Sequence, residues 1–115
     1  MTKEMSDVEL VTELMAFIGP TLVGVTAHAA YRSDSRNWAA GELDLQPDQR
    51  ERLELAYKLL NDIAEEKGND MARAWFIGSN VGIDEISPCE GLRDGLFDEV
   101  RISARRFLDP EEMGG

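Results

Sequence analysis

Only one cysteine and one histidine occur in this chain, Cys89 and His28. A thiol needs a nearby base, or a depressed pKa, to act as a nucleophile. These two residues lie far apart in the sequence, and no recognisable motif surrounds either. Cys89 is therefore expected to pack as a small apolar side chain, and His28 to be a turn or surface residue. Zinc sites are built from clustered Cys and His at short spacings, and no such spacing is present. The carboxylates Asp44 and Asp48, or Asp94 and Asp98, recur four residues apart as they would on any acid-rich helix. They read as solvated faces. The expectation is a protein that is not an enzyme, with no catalytic residue, no metal and no cofactor.

The chemistry that remains is recognition. Arg32, Ser33, Ser35, Arg36 and Asn37 crowd one short stretch. Arginine matches phosphate or guanine and asparagine matches adenine, so a helix here suits a DNA major groove. Asp34 in the same stretch opposes it. Near the C-terminus, Arg101, Arg105 and Arg106 offer guanidiniums suited to bidentate pairing with a partner's carboxylates. Asp109, Glu111 and Glu112 follow, and such acids satisfy basic groups on a partner through charge-assisted hydrogen bonds.

Charge limits these readings. Acidic residues outnumber Lys and Arg by 23 to 12, a net charge of −11. Residues 1–45 carry three bases and seven acids, 46–68 four and six, and 69–115 five and ten. Non-specific DNA affinity comes from cations neutralising phosphates, so this field opposes it unless a local basic patch prevails. A basic protein partner suits the balance better. The polar, acid-containing start Met1–Asp7 is unlike a secretory signal, and a lone cysteine forms no internal disulfide. No apolar run is long enough for a bilayer. A cytoplasmic protein without a membrane role is expected.

The elements that must position these residues are helices. Ser6 and Glu9 form a capping box ahead of Leu10, Val11, Leu14, Met15, Phe17 and Ile18, and Gly19-Pro20 stops that helix. Thr21 to Ala30 reads as a short buried helix. Ser33 is placed to cap another, through Trp38 to Gly41, with Trp38 as its core anchor. Pro47 opens the longest helix, which runs to about Lys67 and is stopped by Gly68. Its apolar residues Leu53, Ala56, Tyr57, Leu60 and Ile63 recur at three- and four-residue steps, with Arg52 and Lys58 on the opposite face. Asn69 or Asp70 is expected to cap the helix holding Trp75, and Gly78 to end it in a left-handed conformation. Ser87-Pro88 starts a short helix, and a last one from about Leu96 buries Val100, Ala104 and Phe107. The fold class is all-α, a compact bundle of six or seven helices.

Two motifs within this frame resemble a known family. Trp75, Asn80, Ile83, Pro88, Leu92 and Gly95 match, in register, the pattern W-x-x-x-x-N-x-x-L-x-x-x-x-P-x-x-L-L-x-x-G. That pattern belongs to the C-terminal domain of the Xre/ParS/MbcA-type antitoxins, and Ile83 stands for its leucine. Ala104 and Phe107 fit the family's last helix. Gly91 departs from it, replacing an apolar residue and predicting a looser helix after Pro88. Upstream, Trp38 and Gly41 are similar to the R-W-x-x-G-x-x-x-P that follows the recognition helix of Xre-type repressors; Asn37 replaces the basic residue, and the proline arrives late, at Pro47. The resemblance implies an Xre-like helix-turn-helix region with a long dimerisation helix at 1–68, and a toxin-binding region at 69–115 within one compact unit. It further implies a homodimeric type II antitoxin. Such a protein occludes the active site of a cognate toxin, commonly a RES-domain enzyme consuming NAD, and represses its own operon by binding operator DNA. Arg101, Arg105, Arg106, Asp109, Glu111 and Glu112 would then face the toxin, and residues 32–37 the DNA. The alternative is a stand-alone helix-turn-helix transcriptional regulator.

Overall fold

The computed structural model describes residues 4–110. They form seven α-helices: α1 (Asp7–Ile18), α2 (Pro20–Ala27), α3 (Asp34–Ala39), α4 (Pro47–Lys67), α5 (Asn69–Ile77), α6 (Pro88–Arg93) and α7 (Phe97–Leu108). A single 3₁₀ turn, Val81–Ile83, precedes α6. No strand occurs among the described residues. The all-α bundle expected from periodicity is the fold observed.

Helix α4 is the spine. Leu53, Ala56, Leu60 and Ile63 are fully buried on it, and the helix packs against α1, α2, α5 and α7. Pro47 and Gly68 bound it as their chemistry requires. Pro47 sits in the first turn, where a missing N–H costs nothing. Gly68 turns the chain at φ +93°, conformational space that a β-carbon would strain. The same residue opens α5, so neither Asn69 nor Asp70 caps that helix; Asp70 pairs instead with Arg73. At the N-terminus, the Ser6–Glu9 capping box forms as expected.

Three local expectations give way to tertiary contacts. Gly78 is extended, φ −85° and ψ 150°, rather than left-handed. It is glycine because a β-carbon there would sit 2.9 Å from the Ala74 carbonyl oxygen. Ser33 makes no capping bond, since its backbone is already helical; the Asp34 carboxylate takes the Tyr31 N–H at 3.1 Å instead. Arg52 is not spread on a solvated face, for its Nε donates to the Leu92 carbonyl at 2.9 Å and ties α4 to α6.

Gly91 also corrects its expected effect. It is buried, and a β-carbon on it would meet Val100 Cγ2 at 2.8 Å and Ile83 Cγ2 at 3.0 Å. The missing side chain lets α6 close onto α7 rather than loosening it. Gly91→Ala should therefore destabilise by about 1–3 kcal/mol through overpacking, although alanine favours helix by up to about 1 kcal/mol. Urea unfolding checks this, and adding Val100→Ala should recover part of the loss.

Candidate recognition surfaces

The first surface lies at α2 and α3, joined by the turn 28–33. Arg32, Ser33 and Arg36 are exposed and Asn37 is half-buried. Ser35 is not available. It is 1% exposed, and its hydroxyl donates to the Pro20 carbonyl at 2.8 Å. Gly24 makes that approach possible, since a β-carbon there would press on Ser35 Oγ at 3.2 Å. Ser35 is thus a packing residue between α3 and α2 and leaves the candidate DNA-reading set. Trp38 is buried beneath the same helix, an anchor as expected.

The second surface is the outer face of α7, and the elements behind it interlock. Trp75 on α5 donates its indole N–H to Ser103 Oγ at 3.0 Å. Asn80 Nδ2 donates to the same oxygen at 2.7 Å. The Asn80 backbone meanwhile closes the following loop, accepting from Glu85 N at 2.9 Å and donating to the Ile86 carbonyl at 3.1 Å. Ser87 then caps α6: its hydroxyl accepts from Glu90 N, and the Glu90 carboxylate accepts from the Ser87 N–H. That backbone bond, with a second from the Ser87 hydroxyl, holds the Glu90 carboxyl below its ordinary range. Trp75, Asn80, Pro88 and Leu92 are structural here, as residues of core and cap.

Ser103 is the residue that sequence reasoning missed. A signal was present, because Ser103 lies on the apolar stripe of Val100, Ala104 and Phe107. A serine on a buried face needs hydrogen-bond partners, and two donors in the preceding helix and loop supply them.

Arg101, Arg105 and Arg106 are all exposed on α7. Arg101 pairs with Asp98 at 3.0 Å. Arg106 lies over Gly82, where a β-carbon would meet its guanidinium at 3.2 Å. Asp109 is exposed just after α7. Glu111 and Glu112 lie outside the described residues.

The arginines sort into two kinds. Arg50, Arg52, Arg73, Arg93 and Arg101 each have a carboxylate partner. Arg32, Arg36, Arg105 and Arg106 have none among the described residues, despite the surplus of acids. These four fall in two pairs, one at the α2–α3 surface and one at the end of α7.

Cys89 is buried in α6 against α2. The Thr26 hydroxyl lies 2.7 Å from the Leu22 carbonyl and 3.2 Å from the Cys89 sulfur, within hydrogen-bond reach of both. His28 caps α2 in the left-handed conformation and is exposed. No group of three or more His, Cys, Asp or Glu able to hold a metal occurs among the described residues. No single described helix is long and apolar enough to cross a membrane.

No family model, curated protein or solved structure matches this chain. The two arginine pairs and the unit locked by Ser103 are therefore the ground for a functional reading.

Burial raises the Cys89 thiol above its ordinary range, only partly offset by the Thr26 hydrogen bond. The unfolded thiol ionises first as pH rises through the ordinary thiol range, so the unfolded state binds fewer protons there. Stability should fall with rising pH in that window. An alkylating reagent should leave Cys89 unmodified in the native protein at neutral pH and label it once the chain unfolds. Rapid labelling of the native protein would contradict this burial.

Proposed function

We propose that this protein is an antitoxin-like regulator. Its C-terminal helices capture a cognate toxin, and its α2–α3 surface binds the operator of its own operon. One observation carries the reading: in a chain with nearly twice as many acids as bases, the arginines without a carboxylate partner among the described residues gather at these two surfaces. Exposed ion pairs contribute little to stability, so leaving these guanidiniums unpaired costs the fold little and keeps them available to a partner.

The Trp75–Asn80–Ser103 unit supports the toxin-capturing half. It fixes the face of α7 before any partner arrives, which reduces the ordering cost of association. The resemblance of residues 71–108 to antitoxin C-terminal domains points the same way and suggests an NAD-consuming RES-domain toxin as the partner. In this reading the protein is a homodimer without catalytic activity of its own. Arg101 joins Arg105 and Arg106 on the toxin-facing side by exchanging its exposed carboxylate Asp98 for one on the toxin.

The reading is tested by expressing each reading frame that flanks the gene. One of them should arrest growth alone and be tolerated with this protein. Arg105→Ala together with Arg106→Ala should abolish that rescue while leaving the melting transition near the parent's. Rescue undiminished in this variant would move toxin capture to another surface. Flanking frames that are all harmless would favour the stand-alone regulator.

A further inference from the structure

A groove of about 360 Å³ runs along the exposed side of α2 and under the turn to α3. No acidic side chain lines it, although acids make up a fifth of the chain (23 of 115 residues). Its polar lining includes His28, Tyr31, Arg32 and, from α6, Arg93. Tyr31 is 73% exposed, the barest large apolar side chain described. The acid nearest in the turn, Asp34, is buried and accepts the Tyr31 backbone N–H. Arg93 gives Nε and Nη2 to Asp94 at 2.8 and 3.2 Å. Its Nη1 makes no hydrogen bond among the described residues.

We propose that this groove is a DNA-backbone contact, seating a phosphate of duplex DNA between Arg32 and Arg93. Helix α6 of the C-terminal half then extends the DNA face begun by α3. The proposal rests on the operator-binding half of the function above and names a residue that the α2–α3 surface alone does not contain. Two arginines lining one groove from different elements suit the oxygens of one phosphate, and Tyr31 and His28 add polar groups within the same lining. Duplex DNA is the fitting anion because the groove adjoins the exposed Ser33 and Arg36 at the start of α3. A phosphate held at Arg32 sets the register of the helix one turn further on. Phosphate contacts of this kind position a protein and carry no sequence information. The acid-free lining is what lets a chain of net charge −11 present a local patch that DNA tolerates. On binding, Arg93 exchanges the Asp94 carboxylate for the phosphate.

The test is fluorescence anisotropy of the full chain with two labelled duplexes of equal length, one from upstream of its own reading frame and one scrambled, over a range of salt. Arg32→Ala and Arg93→Ala should each weaken both duplexes alike, by about eightfold at 0.1 M salt. Each should lower the salt slope by roughly one, the effect of losing one phosphate contact. Arg93→Lys should keep most of the slope, which separates lost charge from lost packing. Asp94→Asn should tighten binding by freeing Arg93 and removing a nearby negative charge. Lys58→Ala, an exposed cation on α4, should change nothing. Parental affinity and slope in Arg93→Ala, with Arg32→Ala weakened, would overturn the phosphate seat while leaving operator binding intact. Absence of binding by the parent to either duplex at any salt would overturn both.

Discussion

One hydroxyl, Ser103 Oγ, receives both the indole N–H of Trp75 and the side-chain amide of Asn80. These donors belong to α5 and to the loop that follows it, and the acceptor belongs to α7. The segment between them therefore has its two ends fastened at one point. Within that span the backbone can afford irregularity: Asp84 and Glu85 are both left-handed, at φ 51° and 64°, a conformation uncommon for residues other than glycine. The loop closes through the Asn80 backbone, α6 is started by its own capping box, and Gly91 lets α6 settle onto Val100. The outward face of α7, with Arg105 and Arg106, inherits its position from this arrangement.

Electrostatics shapes what such a fold can do. A net charge of −11 repels anions at long range and destabilises the compact state through self-repulsion. Part of the answer is to spend cations inside the bundle. Arg50 reaches Asp7 at 2.6 Å and the Met5 carbonyl, joining α1 to α4, while Arg52 joins α4 to α6. The arginines without a carboxylate partner among the described residues stand at two places on the surface. In the proposed account, one place meets the carboxylates of a protein and the other the phosphates of DNA. Arg50 and Arg52 are set deeply enough to join helices, whereas Arg32, Arg36, Arg105 and Arg106 are exposed.

Much of this was legible in the residues, and what was not has a common cause. Helix α4 could be read closely, because proline and glycine act locally and its apolar stripe repeats along one strongly periodic segment. The capping box at Ser6 and the helix start at Ser87-Pro88 were legible for the same reason. Gly78 and Gly91 were misjudged because their role is set by how near another group comes, the Ala74 carbonyl in one case and Val100 in the other, and no periodicity encodes that distance. Ser35 looked like a DNA contact from its neighbours in sequence, but the turn of α3 points its hydroxyl at α2. Of the candidate surfaces, the arginines on α7 could be listed from sequence. That Arg105 and Arg106 have no carboxylate partner among the described residues while Arg101 has one emerges only from the folded arrangement.

If residues 75–107 form one preset unit held at Ser103, the stability of Ser103→Ala reports on it. This change removes a single oxygen and leaves two donors, one of them in a residue 5% exposed, without an acceptor. Unsatisfied buried donors cost about 1–3 kcal/mol each. Urea unfolding should therefore show a loss in that range or somewhat above it, and hydrogen exchange at the Trp75 indole N–H should quicken by a matching factor. A variant as stable as its parent, with the indole equally protected, would contradict the account.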